Sequence, residues 1–499
     1  MNMPTDDVLR GADVLHASNP LLEPLGPYIE LASWPSRLAH DPLEGLPVHG
    51  LNEESQDLLL SFIRSRLEPT ERAVQVAQSI QRVWRHSYAY RNPTVAALRR
   101  QVVTKLALRG KTLDTAPWLP KFADALIVEG CTGLGKSTIV ERICSLVPQR
   151  YEHSASEAAG WHRHVQVTYL IVPMPVHRGG LLYAILAALD GVLGTEYRTQ
   201  YAVPRIWTIE KLAIEVGILL TQHSVGLLVI EELQPRNFSQ SPYRDEMLLM
   251  LLRLLNFGIP IVFVGNPLAF EGLADHSQDI RRLTAAEGVH LMPLDRGDDD
   301  WSEGLAAGLW SHNVMAIKTP FTPSIDAALY ACSAGIPDFL WKAVEGAQRI
   351  AMQMGDKRVQ EEHIWRYRDE SLSFKRCKDL IEGFEQKDPM KLSRYIDVPW
   401  EAYGLMWGKI DPLDFPACNP GRESLSATGG DDAESVRAYH SVHERLRRKH
   451  SSAVTTKKNR TKANAAVKAS AKPEDLRSGA IDVLVPNLSS IRDKISKQS

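Results

Sequence analysis

The run Gly130-Cys131-Thr132-Gly133-Leu134-Gly135-Lys136-Ser137 constrains this chain more than any other stretch of its 499 residues. It fills the pattern GxxxxGK[ST] in full and stands between an apolar run, 125–129, and an amphipathic one, 137–147. A strand that turns through glycines into a helix leaves successive backbone N–H groups pointing into one hollow, at the positive end of that helix. Such a nest fits a phosphate. Lys136 is placed to reach the β- and γ-phosphates of ATP and Ser137 to ligate Mg²⁺, with Gly130 to Thr138 together cradling the nucleotide.

A phosphate turn of this kind needs acidic partners at the end of a second buried strand. Gly226-Leu227-Leu228-Val229-Ile230-Glu231-Glu232 supplies them. Glu231 is expected to hold Mg²⁺ through water and Glu232 to polarise the attacking water. Two carboxylates closing an apolar strand are costly unless a cation or water meets them. The usual first residue of such a pair is Asp, so Glu231 reaches one methylene further. One strand on, Asn266 follows Val264-Gly265. In a sheet that inserts this strand between the first and third, Asn266 lies beside the γ-phosphate and orients water. Arg281 and Arg282, after the next short helix, are candidates for an arginine that reaches a neighbouring subunit's ATP.

Strand-like and helix-like runs alternate over 125–294: 164–172, 226–230 and 260–264 read as strands, 180–193 and 245–255 as helices. That alternation specifies an α/β fold with a parallel sheet flanked by helices. Helical periodicity alone follows over 322–386, a helical lid. Apolar i, i+3, i+4 spacing over 53–108 predicts a mostly helical N-terminal region, interrupted at Arg91-Asn92-Pro93. The expected domains are 1–110 (helical, for partner contacts), 111–298 (the ATPase core), 299–420 (the lid) and 421–499 (a flexible tail).

Composition excludes several classes. The chain is 44% hydrophobic and 24% charged, with no apolar run near the about 18 residues of a membrane span. Its start lacks the basic and apolar regions of a signal peptide, so a cytoplasmic protein without membrane contact is expected. Cys131, Cys144, Cys332, Cys377 and Cys418 are scattered and form no CxxC pair, which speaks against a disulfide or zinc scaffold. His162 and His164 flank Arg163 in a stretch expected to be a solvated loop. The net charge of −2 hides a segment, Arg445 to Lys472, in which every charged side chain is basic. It cannot bury a core and reads as disordered. The apolar run Ile481 to Pro486 beyond it suits docking to a partner's groove or sheet edge.

Several segments together resemble the TnsC/TniB family of AAA+ transposition regulators, relatives of MuB. Asn19-Pro20-Leu21-Leu22-Glu23-Pro24-Leu25 is similar to the family's NPLIEAL-like opening, and Tyr88-Ala89-Tyr90-Arg91-Asn92-Pro93 to its GYxxRNP-like segment. Leu189-Asp190 with Leu193-Gly194-Thr195-Glu196-Tyr197 resembles its ALDxxLGTNY-like stretch. Leu228 to Gln234 resembles its LVIDEIQ strand, with Glu231 in place of Asp. The likeness covers roughly residues 19–400. It departs in the lid: after Gly335-Ile336-Pro337, Asp338 stands where many AAA+ lids carry an arginine, and Lys342 comes one turn on.

The resemblance implies a P-loop AAA+ ATPase that binds ATP and Mg²⁺, assembles as a homo-oligomeric ring or filament on double-stranded DNA, and recruits transposase subunits. It further implies a separate target-selection protein of the TnsD/TniQ type. A ring on duplex DNA needs basic side chains that track phosphates, and Arg178, in the loop 175–180, is the candidate. Two other classes stay open on the residues alone: a STAND-type signalling ATPase, and a clamp or helicase loader.

Overall fold

The computed structural model describes residues 17–46, 48, 51–109, 123–202, 208–270 and 281–410. The chain divides into two units, 1–410 and 411–499, and the first holds all of these residues. The expected tail, with its basic segment and docking run, lies outside the described residues, as does Cys418.

Among the described residues seven strands form: β1 (Ala125–Gly130), β2 (Arg150–His153), β3 (His164–Val167), β4 (Tyr169–Pro173), β5 (Leu227–Leu233), β6 (Ile261–Gly265) and β7 (Val289–Leu291). Five make one parallel sheet in the order β4-β5-β6-β1-β7. Thus β6 is inserted between β1, which leads into the glycine turn, and β5, which carries the acidic pair. Parallel strands covered on both faces lose their polar alternation. Accordingly Leu126, Val128, Leu228, Ile230, Ile261 and Val262 are all buried.

The longer helices are α1 (Glu71–Ala89), α2 (Ala96–Ala107), α3 (Lys136–Ser145), α4 (Arg178–Leu193), α5 (Ile209–Gln222), α6 (Arg244–Asn256), α7 (Pro323–Ser333), α8 (Pro337–Met354), α9 (Glu361–Glu370) and α10 (Leu372–Glu385). Helices α4, α5 and α6 bury Leu182, Ile185, Val216, Leu220 and Leu251 in one cluster with Ile230 and Phe263. Helix α1 packs on α3, β1 and β7. Its start is set by Thr70, whose side chain accepts from Ala73 N, and its buried face by Val76, Ala77, Ile80, Val83 and Trp84. In the lid, α7 starts on a Thr322 cap with Pro323 at its first position, and α8 ends at Gly355 in the left-handed region.

Two sequence readings change. The run 164–172 is not one strand. It breaks at Thr168, whose hydroxyl donates to Pro148 O at 2.6 Å. The first piece pairs antiparallel with β2 and only the second joins the main sheet. Nor is His164 in a solvated loop: it opens β3, stacks on Trp161 at 4.4 Å and bonds Ser224 Oγ at 2.9 Å. Burial, then the neighbouring His153 and His223, hold its imidazole down to about 4. Periodicity cannot see either feature, because both depend on contacts distant in sequence.

Of the segments that carried the family likeness, 19–25 and 88–93 prove to be bonded together, and 189–197 is bonded within itself. Asn19 donates to Tyr88 O at 2.9 Å and accepts from Leu21 N. Asn92 donates to Ser18 O, and Tyr88 Oη to Ser224 O at 3.0 Å. Arg91 is buried and donates to Val225 O at 2.9 Å, just before β5. Asp190 accepts from Thr195 Oγ1, Tyr197 N and Arg198 N. Asn19, Tyr88, Arg91 and Asn92 thus tie the N-terminal stretch to the chain entering β5. We expect Asn19→Ala to lower stability by about 1–2 kcal/mol, the loss of one capping and one long-range hydrogen bond. The KM for ATP should stay unchanged. Urea unfolding checks this; an unaltered midpoint would show that the stretch is not part of the folded body.

Candidate active site

The glycine turn sits where β1 ends and α3 begins. Gly133 and Gly135 take φ of 89° and 77°, a region open to glycine and costly for other residues. At Gly130 a Cβ would come 2.7 Å from Leu291 O, so β1 and β7 can close only around a glycine there. Lys136 Nζ donates to Gly130 O at 2.9 Å and Cys131 O at 2.7 Å. Its ammonium folds back over the turn. Burial pushes its pKa down to about 8, against the opposing pull of Cys131 and Glu232.

The acidic pair lies on a β-bulge. The β5–β6 register shifts between Ile230 and Leu233, and Glu232 sits at φ 58°, a left-handed conformation that costs a non-glycine residue roughly 1–3 kcal/mol. Asn237 holds it there. Its side chain donates to Glu232 O at 2.7 Å and Met174 O at 2.9 Å and accepts from Gln234 N at 2.8 Å. This stapling residue was missed in the sequence; nothing in the run Gln234-Pro235-Arg236-Asn237 announces it.

Glu231 lies beside Ser137, and its Oε1 is buried with no hydrogen-bond partner. Burial, then the nearby Glu141 and Glu232 carboxylates, raise its pKa while Ser137 lowers it. A desolvated carboxylate oxygen beside a hydroxyl is a hard-oxygen donor set, which suits Mg²⁺. Ser137 and Glu231 therefore fit the metal assigned to them.

Asn266 is buried at the tip of β6. Its backbone N–H donates to Leu233 O at 2.8 Å, its Oδ1 accepts from Leu268 N at 2.9 Å, and its Nδ2 donates to Asp397 O at 2.5 Å. Arg281 is exposed. Arg282 is half-buried and its guanidinium donates to the Asn256 side chain. Arg178 opens α4 and pairs with Glu210 at 3.4 Å and Glu246 at 4.0 Å, away from the glycine turn in sequence.

Beside the turn lies a cleft of about 230 Å³. Its walls come from four places: Ile63 and Ala73 before and in α1, Leu134 and Thr138, Leu294, and Trp341 on α8. An apolar slot opening onto a phosphate nest can take a flat heterocyclic base. The lid closes it directly: Asp338 N donates to Gly133 O at 3.1 Å, and Lys342 pairs with Asp338 at 2.5 Å. Leu134 and Thr138 belong to the cradle expected from the sequence; Ile63, Ala73, Leu294 and Trp341 were missed, since their partners lie far off in the chain.

The depressed Lys136 pKa has a measurable consequence. Above pH 8 the free site holds this side chain mostly neutral, and a bound triphosphate restores its charge. Nucleotide binding should therefore take up a proton between about pH 8 and the ordinary lysine value of 10.5. Affinity should fall with rising pH across that window, approaching about tenfold per unit. Calorimetry in buffers of different ionisation enthalpy checks it; identical heats in all buffers would show that no proton moves.

Residues 121–273 match the family model described as AAA domain. No curated protein sequence matches the chain. Among solved structures, the Aeropyrum pernix ORC2 protein (ADPNP–ADP complexes) aligns at 17% identity and TM-score 0.34, over 55% of this chain and 68% of that one. The Aeropyrum pernix ORC1 protein in complex with DNA aligns at 14% identity and TM-score 0.38, over 78% and 86%. The Thermotoga maritima RuvB Holliday junction branch migration motor aligns at 15% identity and TM-score 0.30, over 62% and 82%. No helix among the described residues is long and apolar enough to cross a membrane. With its glycine turn, acidic pair, inserted β6 and helical lid, the chain carries an AAA domain within a P-loop AAA+ fold.

Proposed function

We propose that this chain is an ATP-dependent, DNA-binding AAA+ regulator of transposition. In this reading it hydrolyses ATP with Mg²⁺, assembles as a ring or filament on duplex DNA, and recruits transposase subunits to a site marked by a TnsD/TniQ-type protein. The observation that carries the ATPase half is the partnerless, buried Glu231 Oε1 beside Ser137, one strand from the desolvated Lys136. Each charge lacks the counter-charge that Mg²⁺ and a triphosphate supply. The transposition half rests on the resemblance of residues 19–25, 88–93 and 189–197 to the TnsC/TniB family.

Roles follow from placement. Glu232, turned off the sheet by its bulge, activates water; Asn266 orients it. Arg281, exposed, is the better placed of the two arginines to enter a neighbour's site, because Arg282 is tied to Asn256. For Arg178 to meet DNA it must exchange Glu210 and Glu246 for phosphates. Exposed pairs of that kind contribute only about 0–1 kcal/mol each, so the exchange is cheap. Residues 421–499 serve as a basic tether and docking peptide for the transposase.

Glu232→Gln should retain ATP and duplex DNA but lose turnover by about 10²-fold or more, since it removes only the group that activates water. Its assemblies should persist on DNA and be visible by electron microscopy with ATP. Unchanged turnover would assign the water to another carboxylate, and no DNA-bound assembly under any nucleotide would sink the regulator reading. Mixing gives a second check. Arg281→Ala and Lys136→Ala should each be inactive alone and regain part of the turnover together, because mixed neighbours rebuild complete sites. Mixtures no more active than their components would remove Arg281 from the shared site.

A further inference from the structure

The carboxyl tips of β1 and β6 are covered by chain that none of the motifs explains. After α10 the chain turns at Asp388, passes through the short helix Pro389–Leu392, and ends its described course with the helix Trp400–Met406. Two hydrogen bonds tie this strap to the nucleotide site. The Asp397 carbonyl accepts from Asn266 Nδ2 at 2.5 Å, and Tyr403 Oη lies 3.0 Å from Cys131 Sγ in the glycine turn. Asn266, Tyr403 and Cys131 are all buried. Behind Tyr403 stand Phe384 and Trp407, each with its ring centre 5.5 Å away, and Ile410 and Pro389 close on Gly404. The strap is thus packed in its own right and touches the glycine turn and the β6 tip at once.

The amide of Asn266 has one acceptor and two N–H donors. Its oxygen takes the Leu268 N–H, and one N–H is given to Asp397 O. A single N–H remains for water or a γ-phosphate. An unrestrained asparagine could present its oxygen instead, which repels both a phosphate and the lone pair of an attacking water. We propose that the strap Asp388–Ile410 is a positioning element for ATP hydrolysis: the Asp397 carbonyl, braced through Tyr403 against Cys131, fixes Asn266 with its second N–H toward the reacting groups. The proposal rests on the reading of Asn266 as the residue that orients water.

The test uses the full chain and steady-state ATPase with four variants: Asn266→Ala, Tyr403→Phe, Tyr403→Ala and the Asn266→Ala/Tyr403→Ala pair. Tyr403→Phe removes only the hydroxyl and keeps the ring, so its thermal midpoint should stay near that of the unaltered protein. Its kcat should fall about threefold, and that of Tyr403→Ala about tenfold or more, with the KM for ATP within about twofold in both. Because the strap acts through Asn266, the double variant should be no slower than Asn266→Ala alone. Hydrogen exchange at 264–268 should rise in both Tyr403 variants. A fall in kcat that adds to that of Asn266→Ala, or a KM that rises in step, would mean general distortion and overturn the proposal. Unchanged or faster turnover in both Tyr403 variants would overturn it as well, the faster case revealing a restraint. If Asn266→Ala itself turns over normally, the reading of Asn266 fails and the strap proposal with it. If Asn266→Ala is slow while the Tyr403 variants are normal, only the strap proposal fails.

Discussion

At the carboxyl edge of the sheet, a carboxylate oxygen of Glu231 is sealed without a hydrogen bond while Lys136 folds its ammonium onto two backbone carbonyls. Both groups have lost water, and burial moves each pKa toward its neutral form. Unpaired desolvated charges of either sign are expensive. The fold tolerates them because the central strands behind are largely buried, with α4, α5 and α6 packed in one cluster with them and α1 and α3 against β1. The edge can carry uncompensated charge only as long as that core does not yield. A cation with a triphosphate would offset both at once, so its binding would gain from relieving the free protein as well as from new contacts.

The same rigidity holds a strained backbone. Glu232 in a left-handed conformation would relax if β5 could slide on β6, yet Asn237 fixes it by binding the ends of β4 and β5 together. The register shift falls on the two carboxylates. On a regular strand adjacent side chains point to opposite faces; the bulge leaves Glu231 against Ser137 and Glu232 exposed.

Features with a local cause could be read from the residues. The glycine turn needs positive φ at Gly133 and Gly135, and only glycine supplies it cheaply. Buried parallel strands show as unbroken apolar runs, and the lid helices as 3.6-residue periodicity, so the parallel sheet and the helical lid were legible, whereas the insertion of β6 between β5 and β1 is set by strand pairing. What escaped depends on pairs far apart in the chain. Asn237 looks like any loop asparagine until Met174 is beside it. The slot wall joins Ile63 to Trp341, and Asn266 meets Asp397. The break at Thr168 arises because Thr168 binds Pro148, which no period predicts. The family-like segments were legible as a pattern, but their reason was not: Asn19, Tyr88, Arg91 and Asn92 are fixed by each other and by the chain entering β5.

The lid shows how a missing residue can matter less than its position suggests. Asp338 stands where an arginine was sought, and its carboxylate is neutralised by Lys342 one turn on. Its backbone N–H nonetheless bonds Gly133 O, and a Cβ on Gly133 would press on Asp338. The first turn of α8, an 18-residue helix, therefore rests on the glycine turn itself. A helix of that length presents about half a positive charge at its first turn. The lid thus meets the glycine turn through a backbone N–H rather than a side chain.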